Sequence, residues 1–307
     1  MTVIRKISIV GAGAMGAAYA AMFSDALGFS VSFVARGERH ARLKNKIFNV
    51  NNRLYKIAVI HPDQVVEPAD LVLVALKHHH LAGAVADIAA LADKDTTILS
   101  VMNGLESEET IGAVCGMEKL VYAIAVGIDA IHESGRYSFA NPGRIIFGPT
   151  TDNGRGPRLT RIQEALNRAG IANEMPTDIR RAMWWKFMIN VGINQASAVL
   201  RAPYGLFQSS PDARALIRSL MAEVVVLAEK AGIGLTEADI DEWDIIMNSL
   251  SSTGKTSMLQ DVEAGRKTEV EIFAGKVVSL GEAYHTPTPV NATMLRIIRV
   301  IEHKCGF

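Results

Sequence analysis

The sequence predicts an α/β fold in two parts, strands alternating with helices over residues 1–177 and helices alone over residues 178–307. Three observations carry this. Residues 3–10 form a short β-branched run that stops at Gly11-Ala12-Gly13-Ala14-Met15-Gly16, and small residues continue at helical spacing to Phe23. Further short apolar runs end in polar residues at 71–76 and 96–102. Beyond Pro176 the strand pattern gives way to apolar periods of 3.6. A chain of 307 residues with 49% apolar content has the material for two cores, each of about 150 residues.

The first strand, glycine turn and helix are the arrangement of a Rossmann-type dinucleotide-binding domain. The tight turn lets backbone approach a pyrophosphate, and the helix start offers free N–H groups and a positive dipole end. A glycine motif alone is weak, and these glycines could serve only tight strand–helix packing. Its place between strand and helix is what gives it weight. Gly11, Ala12, Gly13, Ala14, Met15 and Gly16 are therefore the expected cofactor cradle. The same stretch mimics a signal peptide, since Arg5 and Lys6 precede an uncharged run. Three glycines and an alanine-level apolar density argue instead for a buried strand and helix.

The second strand, residues 29–35, ends at Arg36, with Arg39 and Arg42 behind it. An NAD site places Asp or Glu near this point to bind the ribose 2′-OH, whereas a guanidinium pairs with a 2′-phosphate. The expected cofactor is NADP(H); the alternative is a solvated arginine opening a basic helix. The buried run 71–76 ends in Lys77 and His78-His79-His80. Strand ends line the ligand crevice, so Lys77 is a cofactor candidate and Asn103, past the run 96–102, a second. Adjacent histidines on a helix point about 100° apart and do not converge on one ion. No metal is expected.

Runs at 120–131, 137–140 and 145–148 read as antiparallel strands closing the sheet, followed by a loop at 151–157, a helix near 159–169 and a short strand. Helices are expected from 182, at 213–231, 240–250, 262–284 and 292–304. In the first of these, Lys186, Asn190 and Asn194 recur at four-residue steps. On an α-helix such a stripe drifts only about 80° while climbing about 12 Å. It suits a snorkelling lysine beside bonded asparagines, or a stripe that faces a ligand.

Charges balance at 32 basic and 32 acidic residues without blocks of one sign. That argues against a nucleic-acid or membrane-surface partner. Cys115 and Cys305 alone cannot staple a chain of this size, so a reduced, cytoplasmic setting is expected.

The glycine turn, the strand-end lysine in Ala-Leu-Lys77, Asn103-Gly104, Lys186-Phe-Met-Ile-Asn190-Val-Gly-Ile-Asn194 and the segment from Ser257 to Glu269 occur in one order along nearly the whole chain. Together they resemble the ketopantoate reductase (2-dehydropantoate 2-reductase) family. The resemblance implies NADPH-dependent reduction of 2-dehydropantoate to pantoate, a step towards pantothenate and coenzyme A. It implies Lys186 as proton donor and Glu269 as a catalytic glutamate at an interdomain cleft. Asn190, Asn194 and Ser257 would bind substrate, Asn103 and Lys77 would lie where cofactor meets substrate, and Arg36 would hold the 2′-phosphate. The implied partner is a small 2-keto acid, and a homodimer is compatible with it. One position departs: the family's Pro-Asn-Gly turn is Pro203-Tyr204-Gly205 here. That leaves open the exact keto acid, an opine-type reaction and, in another class, an NADP(H) sensor without turnover.

Overall fold

The computed structural model describes residues 3–149 and 156–307, so the loop expected at 151–157 falls outside the described residues except for its last two. The chain divides into two compact units, Met1–Ile179 and Arg180–Phe307. In order, the first holds β1 (Lys6–Val10), α1 (Ala14–Asp25), β2 (Ser30–Val34), α2 (Gly37–Leu43), β3 (Phe48–Val50), β4 (Arg53–Tyr55) and β5 (Ala58–Ile60). Then come β6 (Leu71–Val74), α3 (Leu81–Ala90), β7 (Thr97–Ser100), α4 (Ser107–Cys115) and β8 (Leu120–Ile128). It closes with β9 (Ile131–Glu133), β10 (Arg136–Ser138), β11 (Pro142–Gly148), α5 (Pro157–Arg168) and β12 (Asn173–Glu174).

Eight strands form the main sheet in the order β12-β11-β8-β7-β6-β1-β2-β5, parallel except for the β8–β11 pair. Its central strands are apolar without alternation because both faces are covered; every residue of β6 and β7 is buried. From β1 the chain builds outward to β2 on one side and returns to β6 on the other. The carboxyl ends of β1 and β6 thus flank a switch point, where α/β sheets bind ligands.

One expectation needs correction. Only β8 and β11 of the later runs join this sheet. β9 and β10 fold back through Ser134 and Gly135, both at positive φ, and pair instead in a four-stranded sheet, β4-β3-β10-β9. Asp129 ends the excursion by accepting the N–H groups of Ala140 and Asn141, each at 2.9 Å.

The second unit is helical: α6 (Ile179–Ile189), α7 (Gln195–Leu200), α8 (Tyr204–Ser209), α9 (Pro211–Lys230), α10 (Glu237–Ser249), α11 (Ser257–Glu263), α12 (Ala274–Ala283) and α13 (Pro289–Lys304). The α/β architecture with a helical second part is the one expected from sequence. The continuous helix expected at 262–284 is not found. Gly265 at φ +58° ends α11, the N–H of Arg266 folds back to the Asp261 carbonyl at 2.8 Å, and Glu302 of α13 takes both the N–H and hydroxyl of Thr268 at 2.7 Å. Among the described residues, no helix is long and apolar enough to cross a membrane.

Candidate active site

At the glycine turn the three glycines do different work. Gly11 sits at φ +118°, where a Cβ would lie 2.4 Å from the Ala75 carbonyl oxygen, so the turn packs directly onto the end of β6. A Cβ at Gly16 would lie 1.8 Å from the Gly11 oxygen, so α1 passes close over its own turn. Gly13 faces open space, with nothing within 4 Å of a Cβ position. It precedes α1 with no side-chain cap and no acidic residue in the first turn. Ala12, Gly13, Ala14 and Met15 form a half-buried rim between buried Gly11 and Gly16. Bare N–H groups, a positive helix end and open space at the middle glycine fit a dinucleotide pyrophosphate.

Three more candidates lie past neighbouring strand ends: Arg36 after β2, Lys77 after β6 and Asn103 after β7. Lys77, half-buried, precedes a single turn, His78–His80. Asn103 is half-buried before Gly104, whose φ is +96°. On either side of Asn103 in sequence, the Ser100 hydroxyl takes the Met102 N–H at 3.4 Å and bonds that of Ser107 at 2.8 Å; the Ser107 hydroxyl also lies 2.7 Å from Glu108. Burial pushes the Glu108 carboxyl up to about 7. Sequence reasoning missed this buried acid because its neighbours in sequence are those of an ordinary helix start.

Arg36 holds a surprise. Its guanidinium meets both oxygens of Asp63 at 2.7 and 2.8 Å, and its Nε meets Asp87 at 2.8 Å. The hydrogen bonds from Arg36 keep the Asp63 carboxyl below the usual carboxylate range. A 2′-phosphate at Arg36 would therefore compete with a carboxylate already in the same bidentate position.

In the second unit, α6 carries Lys186 and runs into a π-helical stretch, Asn190–Asn194, before α7. This corrects the straight α-helix expected from sequence. With i→i+5 bonding each residue turns roughly 85° rather than 100°, so the Lys186-to-Asn194 offset falls from about 80° to about 20°. Asn194 Nδ2 donates to Asn190 Oδ1 at 3.3 Å, which places the two carboxamides side by side. Lys186 and Asn190 are half-buried and Asn194 is 6% exposed. Close packing explains Gly192 within the stretch, since a Cβ there would lie 2.5 Å from the Met221 side chain on α9.

Ser257 opens α11, which packs against α7 and the π-helical stretch. It is exposed, and the preceding Thr256 caps the helix by accepting the Leu259 N–H at 3.2 Å. Glu269 is 5% exposed, whereas its charged neighbours Glu263, Arg266, Lys267 and Glu271 are exposed. The break between α11 and α12 is what takes Glu269 off that solvated face.

Two family models match in sequence order: "Ketopantoate reductase PanE/ApbA" over residues 7–152 and its "C terminal" counterpart over residues 178–302. The chain belongs to the ketopantoate reductase family. It is 27% identical over 302 residues to a 2-dehydropantoate 2-reductase of Archaeoglobus fulgidus, covering 97% of this chain and 98% of that one. A crystal structure of the Geobacter metallireducens 2-dehydropantoate 2-reductase superposes with a TM-score of 0.85 at 26% identity, covering 96% and 99%. A D-mandelate dehydrogenase solved with NADH and anilino(oxo)acetate shares the fold, with a TM-score of 0.89 at 20% identity over 98% and 100%. As a ketopantoate reductase family member the chain is an oxidoreductase that works with a nicotinamide dinucleotide.

Within the ketopantoate reductase frame, the departure at Tyr204 has a definite setting. The N–H of Tyr204 bonds the Gly254 carbonyl at 3.0 Å, and that of Gly205 bonds Ser252 at 2.9 Å. A Cβ at Gly254 would lie 3.0 Å from the Tyr204 ring. Tyr204 thus braces the turn that leads into Ser257.

Proposed function

We propose that this chain reduces 2-dehydropantoate to pantoate with NADPH, and that Lys186 donates the proton. The observation that carries the proposal is the alignment of one ammonium and two touching carboxamides along one side of the π-interrupted helix. When bound, the reduced nicotinamide supplies a hydride to the ketone carbon. The ketone oxygen becomes an alkoxide as this happens. A cationic Lys186 stabilises that developing charge and then protonates it, help typically worth ~10²–10⁴-fold in rate. Asn194 donates to Asn190 Oδ1, so the Asn190 NH₂ is left to donate to a substrate oxygen. Ser257 binds the substrate carboxylate, and Glu269 completes the catalytic set from its buried position.

On the cofactor side the glycine turn takes the pyrophosphate, with Lys77 and Asn103 toward the nicotinamide end. Arg36 takes the 2′-phosphate in exchange for Asp63, so the preference for NADPH over NADH is modest.

A second reading, reduction of another 2-keto acid, is favoured by Tyr204 alone, because it puts a large ring where the family has a small amide. A panel of 2-keto acids assayed for NADPH oxidation, with and without an amino acid, decides. The proposal expects the highest kcat/KM with 2-dehydropantoate. A higher value with another keto acid replaces the substrate, dependence on the amino acid indicates an opine-type reaction, and tight NADPH binding without turnover indicates a sensor.

A further inference from the structure

The residue after the stripe is Gln195, which has no exposed surface and uses its whole amide internally. Its Nε2 donates to the Val191 carbonyl at 2.7 Å and to Asn291 Oδ1 at 3.2 Å, while its Oε1 accepts the Ala274 N–H at 3.1 Å. Asn291, equally buried, donates from Nδ2 to the Leu220 carbonyl at 3.2 Å and to Glu223 at 2.7 Å. Glu223 in turn accepts the N–H groups of Val290 and Asn291, at 2.8 and 3.0 Å, in the first turn of α13. One continuous polar chain thus ties α7, α9, α12 and α13 together inside an otherwise apolar core.

Stability alone does not call for such a network. A fully satisfied buried polar group contributes little net stability, and well-packed apolar side chains of similar volume commonly serve as well. What an apolar residue cannot do at 195 is hold the Val191 carbonyl. That carbonyl belongs to the π-helical stretch. In a regular α-helix its partner is the backbone N–H of residue 195, four residues on. Here that N–H bonds the Gly192 carbonyl instead, and the Gln195 side chain takes Val191. The side chain thus anchors a carbonyl whose α-helical partner has turned to another residue.

We propose that Gln195, held in place by Asn291, is a positioning residue for catalysis. It fixes the π-helical stretch that brings the Asn194 carboxamide into line with Lys186 and Asn190. The inference rests on the reading of Lys186, Asn190 and Asn194 as the substrate-facing set. Gln195 itself touches no substrate; it acts through the helix pitch. Without its hold on Val191 the stretch is free to relax toward α-helical pitch, swinging Asn194 away by roughly 60°.

A double-mutant cycle on the full chain tests this, with 2-dehydropantoate and NADPH as substrates. Asn194→Ala comes first: an unchanged kcat/KM for the keto acid overturns the underlying reading, independently of Gln195. Given a loss there, Gln195→Met, which keeps the volume but neither donor nor acceptor, is expected to lower keto-acid kcat/KM about tenfold at unchanged KM for NADPH. In the Asn194→Ala background that loss should shrink to within about twofold, because there is no longer an Asn194 amide to aim. A full tenfold loss in both backgrounds marks a purely structural role and overturns the proposal, as does wild-type kcat/KM in Gln195→Met. Should the methionine variant not fold, Gln195→Glu keeps the acceptor for Ala274 and removes the donors to Val191 and Asn291. The same cycle then applies to it, with the same outcomes.

Discussion

In the proposed reaction the glycine turn offers its backbone to the ligand and the Lys186 stripe offers side chains, and the two demand different things of the chain. The turn needs absence: no Cβ at Gly11 or Gly16 so that strand and helix can close, and open space at Gly13. Six consecutive residues meet that need. The stripe needs presence, an ammonium and two amides in register, and on the proposal above its helix pitch is held by Gln195 only with the help of distant residues. That hold comes from Gln195, Asn291 and Glu223, and from the Ala274 amide, almost 100 residues apart at the extremes. A site built from backbone is therefore compact in sequence, and one built from aligned side chains is spread through a core.

The largest effects should fall on the side-chain half. Lys186→Ala is expected to lower kcat ~10²–10⁴-fold while NADPH binding, followed by fluorescence, holds. An unchanged kcat would remove the lysine from the reaction. The backbone half should respond to its glycines in two distinct ways. Gly16→Ala places a Cβ 1.8 Å from the Gly11 oxygen and should lower Tm and cofactor binding together. Gly13→Ala meets nothing within the protein, so Tm should hold while KM for NADPH rises. If KM is also unmoved, no phosphate approaches Gly13 and the turn serves packing only.

The same contrast explains what could be read from sequence. The α/β order, the glycine turn and the parallel core strands are local patterns, and Arg36, Lys77 and Asn103 follow from strand ends. The stripe too is visible as spacing. Its pitch is not, because α and π bonding can share one apolar pattern over five residues and tertiary bonds decide between them. Only Gly192 within a helix, followed at a distance of three by Gln195, hinted at it. Glu269 stands out in the sequence only through the family resemblance, because its neighbours are charges at helical spacing and the helix stop at Gly265 lies among them. The pairing of Arg36 with Asp63 lay beyond reach, since it joins positions 27 residues apart across separate elements.

Buried carboxylates are also met in different ways. In the helical half, Asp239 and Asp261 are each ion-paired, to Arg181 at 2.6 Å and to Arg266 at 3.0 Å. In the cofactor half, Glu108 is met by a serine hydroxyl and, at 3.5 Å, the Ala123 N–H, and its carboxyl rises from an ordinary 4.5 to about 7. The folded state thus holds the proton more tightly than the unfolded one. That contribution is complete below about pH 4.5 and is lost as pH climbs through 7, a swing of about 3 kcal/mol. Glu108→Gln should therefore be more stable than wild type at pH 8, with the gap closing by pH 4.5. Denaturant melts across this range check it, and a gap independent of pH would mean that folding leaves the Glu108 pKa unshifted.

The smallest effect concerns the ribose end, where backbone and side-chain logic meet. Arg36→Ala should raise KM for NADPH only several-fold, since the phosphate takes a place that Asp63 already fills, and leave NADH nearly untouched. Asp63→Asn should act in the opposite sense. It removes the negative charge that shares NH1 and NH2 of Arg36 but leaves the Nε–Asp87 bond, which keeps the guanidinium aimed. Because both partners are largely exposed, the pair itself is weak, and only a several-fold gain in the ratio of NADPH to NADH kcat/KM is expected. High salt should erase that gain, since it screens the charge that the substitution removes. Equal changes for NADH and NADPH would place the 2′-phosphate elsewhere. A fall in the ratio would show Asp63 to be a strut for Arg36 rather than a competitor for its ligand.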